Sequence, residues 1–298
     1  MTDSSNQNLV ERASIIESFQ TLQERLFKTT DLEWILRKLK KERKISRRTT
    51  LEQVADILAE ESILQSIDLM FPNENVVRFF RDGVSPYEIA LTLRTSCFLS
   101  HLSALYVNNL LEKVPKSIYI NSEQKPKPPI LTPISQQSID IAFRNPQRTT
   151  NNIATLGNRE IHILNGMYSG QLGVTTVNHK EGLNLCVTGV ERTLIDSVVR
   201  PTYSGGPATI LEAFHIAGTK RICSPQTILA LLAKLNFRYP YLQAIGFYME
   251  RSGQYSDHLQ MIYEKCALQF DFYISHNEAD LEYSSRWKIY FPKWLKIY

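Results

Sequence analysis

The chain has 298 residues, of which 43% are hydrophobic and 21% charged. These are ordinary values for a folded chain of one or two domains, and they exclude general disorder. The net charge of +4 is too small to define a partner by itself, so the local placement of charge matters more.

The four cysteines (Cys97, Cys186, Cys223, Cys266) form no C-x-x-C pair. Neither metal-ligand nor redox spacing is present, and a reduced, cytoplasmic setting is expected, with no metal and no cofactor. The polar start MTDSSNQN lacks the apolar segment of a signal peptide. No apolar run approaches the roughly 20 residues of a membrane helix, so no membrane partner is expected.

In chain order, residues 1–8 read as a frayed tail, and Ile15, Ile16, Phe19, Leu22 and Leu26 as the apolar face of a first helix. Thr30-x-x-Glu33 and Thr49-x-x-Glu52 then have the form of capping boxes. Leu32, Ile35, Leu36 and Leu39 follow the first, and Leu51, Val54, Ala55 and Leu58 the second, each at helical spacing. Between the two stripes, Arg37 to Arg48 holds eight basic residues and one acid, a local charge of +7. Ile67, Leu69 and Phe71, the turn-forming Pro72–Asn75, and Val76, Val77 and Phe79 predict a β-hairpin. Two short helices with a basic connection and a following hairpin predict a winged helix-turn-helix over residues 1–84.

Ser85-Pro86-Tyr87-Glu88 predicts the start of the next helix and a domain boundary before it. A helix over Ser100 to Leu111, a strand at SIYINSE and a stiff connector at Lys125–Pro129 follow. Residues Ser135 to Thr188 have a β texture: SIDIAF, NNIATL and EIHIL around Gly157-Asn158, LGVTTV and LNLCVT. A mostly antiparallel sheet is expected from these short runs with Gly and Asn turns. Thr188-x-x-Glu191 suggests another capping box, and Arg200-Pro201 stops that helix. Further helices are predicted after Gly205-Gly206-Pro207, after Ser224-Pro225, and over Tyr241 to Arg251, then an aromatic tail read as β. The expected fold class is therefore α+β: the winged helix-turn-helix at 1–84, a larger domain at 85–255 with a mostly antiparallel sheet and a helical cluster, and an aromatic β extension at 256–298 packed on it.

The basic stretch is the strongest candidate site. Arg37, Lys38, Lys40, Lys41, Arg43 and Lys44 are suited to backbone phosphates, which give affinity without sequence information. Arg47, Arg48, Thr49, Thr50 and Gln53, around the start of the second helix, are suited to base edges. Arg78 and Arg81 on the hairpin's return strand are candidates for phosphate contact. The second helix also carries Glu52, Asp56, Glu60 and Glu61, which would repel a phosphate backbone along its length. A basic patch meeting an acidic protein partner is therefore the alternative.

Enzymatic readings are weaker. Arg192 and Asp196 are spaced to pair on a helix surface, and Gly205-Gly206-Pro207 lacks the lysine and serine of a P-loop. Asp140, Glu160 and His162, on predicted strands, match no nuclease spacing, and His101 and His215 have apolar neighbours. No catalytic residue is assigned. The tail's Trp287, Tyr290, Phe291, Trp294 and Tyr298, mixed with Arg286, Lys288, Lys293 and Lys296, suits half-buried strand packing better than an oligomer interface.

Gly189-Val190-Glu191-Arg192-Thr193-Leu194-Ile195-Asp196, followed by Arg200-Pro201 and Gly205-Gly206, resembles the hallmark of AbiEi-family antitoxins. Ser100-His101-Leu102-Ser103-Ala104-Leu105-Tyr106, Pro115 to Ile120, and Gln243 to Glu250 resemble further segments of that family. In the last, Ala244 stands where the family usually has arginine. The resemblance spans roughly residues 25–253 and implies a type IV toxin–antitoxin component without enzymatic activity. Such a protein is a transcriptional autoregulator whose winged helix binds inverted repeats in its own promoter, an arrangement compatible with oligomerisation on DNA. Its larger domain counteracts a cognate nucleotidyltransferase toxin in abortive phage resistance.

Overall fold

The computed structural model describes residues 2–128 and 132–296. Helix α1 (Thr2–Gln20) begins the chain, so the segment expected to fray is helical from Thr2. Strand β1 (Leu26–Lys28), helices α2 (Thr29–Lys41) and α3 (Leu51–Glu60), and strands β2 (Gln65–Phe71) and β3 (Glu74–Phe80) follow. They form a three-stranded antiparallel sheet in the order β1-β3-β2. Leu26 lies four residues after Leu22 and so continues the helical spacing, yet it belongs to strand β1 and not to the first helix. Only the strand's pairing with β3, Phe27 opposite Phe79, defines it.

The helix starts are displaced from the expected caps. Helix α2 begins one residue before Thr30, and the Lys28 amide donates to Asp31 Oδ2 at 2.7 Å. The cap of α3 is Thr50, not Thr49. Its Oγ1 accepts from the Gln53 amide at 3.2 Å, and its own amide donates to Gln53 Oε1 at 2.9 Å. Ile15, Phe19, Leu32, Leu36, Leu39, Val54, Leu58 and Phe79 close a small core among these elements.

The larger part opens with α4 (Pro86–Leu91), capped by Ser85 and Glu88, then β4 (Phe98–Leu99), a short α5 (His101–Val107) that stops before Leu111, and β5 (Ser117–Asn121). Residues Lys125–Pro128 have no regular structure, and Pro129, the last residue of the predicted connector, lies outside the described residues. SIDIAF is not a strand but part of helix α6 (Gln136–Arg144). Ile139 and Phe143, four apart, are buried, while Ile141 is 53% exposed, so the helical period prevails over the alternation. Strands β6 (Ile153–Leu156), β7 (Arg159–Leu164), β8 (Val174–His179) and β9 (Gly182–Thr188) complete a six-stranded sheet ordered β6-β7-β5-β4-β9-β8. The β5–β7 and β4–β9 pairs are parallel and the other three antiparallel.

A helical cluster covers the rest: α7 (Val190–Val199), a 3₁₀ turn at Pro201–Ser204, α8 (Gly206–Thr219), α9 (Pro225–Leu235) and α10 (Tyr241–Arg251). Glu191 does not box with Thr188. Gly189 is the cap of α7, and Glu191 Oε1 accepts from the Ser224 amide at 2.9 Å, tying α7 to the start of α9. The tail is not all β: it begins with helix α11 (Ser256–Lys265), before strands β10 (Phe272–Tyr273), β11 (Leu281–Ser284) and β12 (Ile289–Pro292). Trp287, Ile289 and Phe291 join Phe214, Phe247 and Tyr248 in one core. Ile297 and Tyr298 lie outside the described residues.

The hairpin β2–β3 lies between the two halves. Val77 and Phe79 face the N-terminal helices, whereas Ile67, Leu69, Phe71, Val76 and Phe80 face a core shared with Tyr87, Leu99, Ile120, Ala154 and Val187. Period-two alternation thus sorts its side chains into two different cores. Residue 84 is therefore not a boundary between independent cores.

Candidate nucleic-acid interface

Helix α2 buries Leu32, Ile35, Leu36 and Leu39, which leaves Arg37, Lys38 and Lys41 exposed and Lys40 half-buried at its far end. Cations in a last turn also complement the helix dipole. The helix closes in a Schellman turn: Lys44 N donates to Leu39 O at 3.0 Å and Arg43 N to Lys40 O at 3.2 Å. Arg43 occupies the left-handed position there, with φ 57°.

The connection of residues 42–50 is pinned at two points. Ile45 is buried in the core, and the Thr49 hydroxyl donates to Glu11 Oε2 of α1 at 3.3 Å. With these two held inward, Arg43, Lys44, Arg47 and Arg48 all face solvent. Lys44 Nζ pairs with Glu42 at 3.1 Å. No ion pair is found for Arg37, Lys40, Lys41, Arg43, Arg47 or Arg48 among the described residues. The result is one exposed cationic rim from the end of α2 to the start of α3, beside the positive end of the α3 dipole.

The acids expected to oppose phosphate are partly offset. Arg12 of α1 clamps Glu60 at 2.8 Å and Glu61 at 2.6 Å, so one of the two negative charges at the far end of α3 is offset from within the protein. Glu52 and Asp56 remain exposed along the helix.

Several candidate residues have other duties. Thr49 is buried and bonded to Glu11, which removes it from the base-reading set. Thr50 and Gln53 are exposed but engage each other as the α3 cap. Arg78 is not available to phosphate: it is buried, and its guanidinium donates to Thr92 Oγ1 at 2.8 Å, Thr92 O at 3.0 Å and Val77 O at 2.7 Å. Burial pulls its pKa below the usual arginine value. Arg81 is likewise committed, to the carbonyls of Phe19, Leu22 and Glu24, where it fastens the turn after α1 to the hairpin. The hairpin tip, Pro72–Asn75, carries no cation, and its Glu74 pairs with Arg94. Alternation could not reveal this, because an arginine on a strand reads the same whether it faces water or a neighbouring carbonyl.

Other sequence candidates are also structural. Arg192 and Asp196 do pair, Nε to Oδ1 at 2.8 Å, but in the interior rather than on the surface. Arg192 Nη1 also donates to Leu172 O at 2.6 Å and Ser169 Oγ at 3.2 Å, so the pair holds the loop before β8. Asp140 lies on α6 and accepts from Gln136 Nε2 and Tyr273 OH, whereas Glu160 and His162 pair on β7 at 3.1 Å. The fold gives these three no common ligand set. Among the described residues no group of three His, Cys, Asp or Glu is placed to hold a metal ion, and no helix is long and apolar enough to cross a membrane.

No protein-family model matches this chain, and no curated protein matches it. Among solved structures, the chain is similar to the crystal structure of the RV2827C protein from Mycobacterium tuberculosis. The TM-score is 0.60 at 13% identity, over 93% of this chain and 89% of that one. At that identity the likeness is one of fold.

Proposed function

We propose that this chain is a non-enzymatic, AbiEi-like antitoxin and transcriptional autoregulator that holds promoter DNA on its α2–α3 rim. The observation that supports this best is the row of exposed cations kept outward by the buried Ile45 and Thr49. The element order α1-β1-α2-α3-β2-β3, with β1 on β3, suits a winged helix-turn-helix. Its hairpin is docked inward, so α2 and the first turn of α3 are left to make the contact. Arg37, Lys38, Lys40, Lys41, Arg43 and Lys44 hold phosphates, while Arg47 and Arg48 reach base edges. Counteraction of a nucleotidyltransferase toxin by the larger part rests on the motif resemblance. In that part Gly189–Asp196 caps and forms a buried helix, so its role is to shape the domain.

The test is a salt titration of binding to the chain's own upstream DNA. Six phosphate-bound cations give a slope of log K against log salt of about −5. The double variant Arg47→Ala, Arg48→Ala is expected to lose about 1–3 kcal/mol of discrimination per residue. Unchanged binding by that variant would overturn the geometry. A second reading, an acidic protein partner that meets only the cationic rim, follows from the exposed Glu52 and Asp56, which oppose a phosphate backbone laid along α3. Binding insensitive to DNA but retained on that partner would establish it.

A further inference from the structure

The outer face of α2 holds more than cations. Trp34, Arg37, Lys38 and Lys41 are all exposed. At 100° per residue they fall within an arc of about 100°, opposite the buried Leu32, Ile35, Leu36 and Leu39. Trp34 is 60% exposed, and Lys38 Nζ lies 5.7 Å from its ring centroid. The core does not need this indole, since the buried stripe is complete without it. Its surroundings are positive, which disfavours an acid-free apolar partner and favours an anionic one with flat rings.

Trp34 to Lys41 spans about 10 Å of helix, the length of about three phosphates on a stacked strand. In an intact duplex both faces of each base are already covered by neighbours, so an indole finds no free ring there. In a single strand every base has an open face, and an aromatic ring among cations is the arrangement that binds it without sequence preference.

We propose that the outer face of α2 is a single-strand platform, with Trp34 stacking on an unpaired base while Arg37, Lys38 and Lys41 hold the adjacent phosphates. The inference rests on the nucleic-acid reading of the same rim and adds the class of ligand. It also accounts for the placement of positive charge on α2 while α3 keeps an acidic outer face: the strand runs along the first helix and meets only the start of the second.

The experiment uses the full chain, a labelled 12-nucleotide oligothymidine and a labelled duplex of the chain's own upstream DNA, with binding read by fluorescence anisotropy. Trp34→Ala is expected to weaken oligothymidine binding by about 5- to 150-fold, the fold-change equivalent of one lost stack. Trp34→Phe, which keeps a stacking ring, retains most of the affinity, and duplex binding changes less than twofold. The substitution is at an exposed site, and circular dichroism checks that both variants are folded. In a Trp294→Phe background, oligothymidine also quenches the Trp34 emission, since Trp287 is fully buried. Oligothymidine binding indifferent to Trp34→Ala, or an equal loss on both ligands, overturns the platform and leaves the promoter reading standing. Failure of the wild-type chain to bind either ligand removes both. Trp34-dependent single-strand binding with no duplex binding keeps the platform and removes the promoter reading.

Discussion

His101 sits at the first position of α5 with φ 52°, a left-handed backbone that few side chains tolerate. It is 7% exposed, its Nδ1 is 2.9 Å from Ser100 Oγ, and its ring meets Tyr203 edge-on at 5.5 Å. Burial, with lesser contributions from Arg200 and Arg192, lowers its pKa to about 3. The folded value lies below the unfolded one of about 6.5, so the unfolded chain binds the extra proton first. The associated stability is present above pH 6.5 and is lost as pH falls toward 3. Acidifying from pH 7 to 5 should cost about 2 kcal/mol from this residue alone. Urea unfolding at both pH values checks this against His101→Asn, which tolerates the backbone and should show a correspondingly flatter pH dependence. The residue was legible in sequence only as a histidine with apolar neighbours; its strain and neutrality come from the fold.

At the scale of elements, two features tie local geometry to a consequence. Arg43 ends α2 in a position that glycine fills more comfortably. Arg43→Gly is expected to be neutral to about 1 kcal/mol more stable, by relief of the left-handed cost against the added freedom of the unfolded chain. The same change should flatten the DNA salt slope by about 0.9. Chemical denaturation and binding titrations on one protein sample separate the two effects. Gly246 in α10 is required by contact instead. A Cβ there would stand 2.1 Å from Cζ3 of Trp287, which is fully buried and donates through Nε1 to Glu250 Oε2 at 2.8 Å. Gly246→Ala should destabilise by about 1–3 kcal/mol, measured by urea unfolding, and should cost less in a background that already carries a smaller side chain at 287.

For the molecule as a whole, the hairpin matters most. Leu69 is fully buried in the core that also holds Leu99, Ile120 and Val187, while Phe79 on the adjacent strand belongs to the core of α2 and α3. Arg25 reinforces the junction, donating to Gly83 O at 2.7 Å and approaching Glu88 at 3.6 Å. The two halves should therefore unfold together. Leu69→Ala should lower stability by about 2–5 kcal/mol and shift circular dichroism and fluorescence transitions by the same amount. Separate shifts in the two signals would show the cores to be independent. The docking also commits both faces of the hairpin to the protein's own cores, which is why the proposed DNA contact is assigned to α2 and the start of α3.

What the chain determined alone was local. The basic run from Arg37 to Arg48, the apolar stripes of α2 and α3, the Ser85 and Ser224 caps and the hairpin turn at Pro72-Asn73 depend on residues within a few positions of one another. Their physics is contained in short windows. What tertiary structure decided was long-range. Ile139, Ile141 and Phe143 fit either period until Ile139 and Phe143 met a core on one side. Leu26–Lys28 became a strand only by finding β3. Arg78 and Arg81 were diverted from solvent by carbonyls and a hydroxyl from other segments. An unpaired donor or an apolar face has no preferred partner within its own window, and the energy that settles it is gained only when distant segments pack.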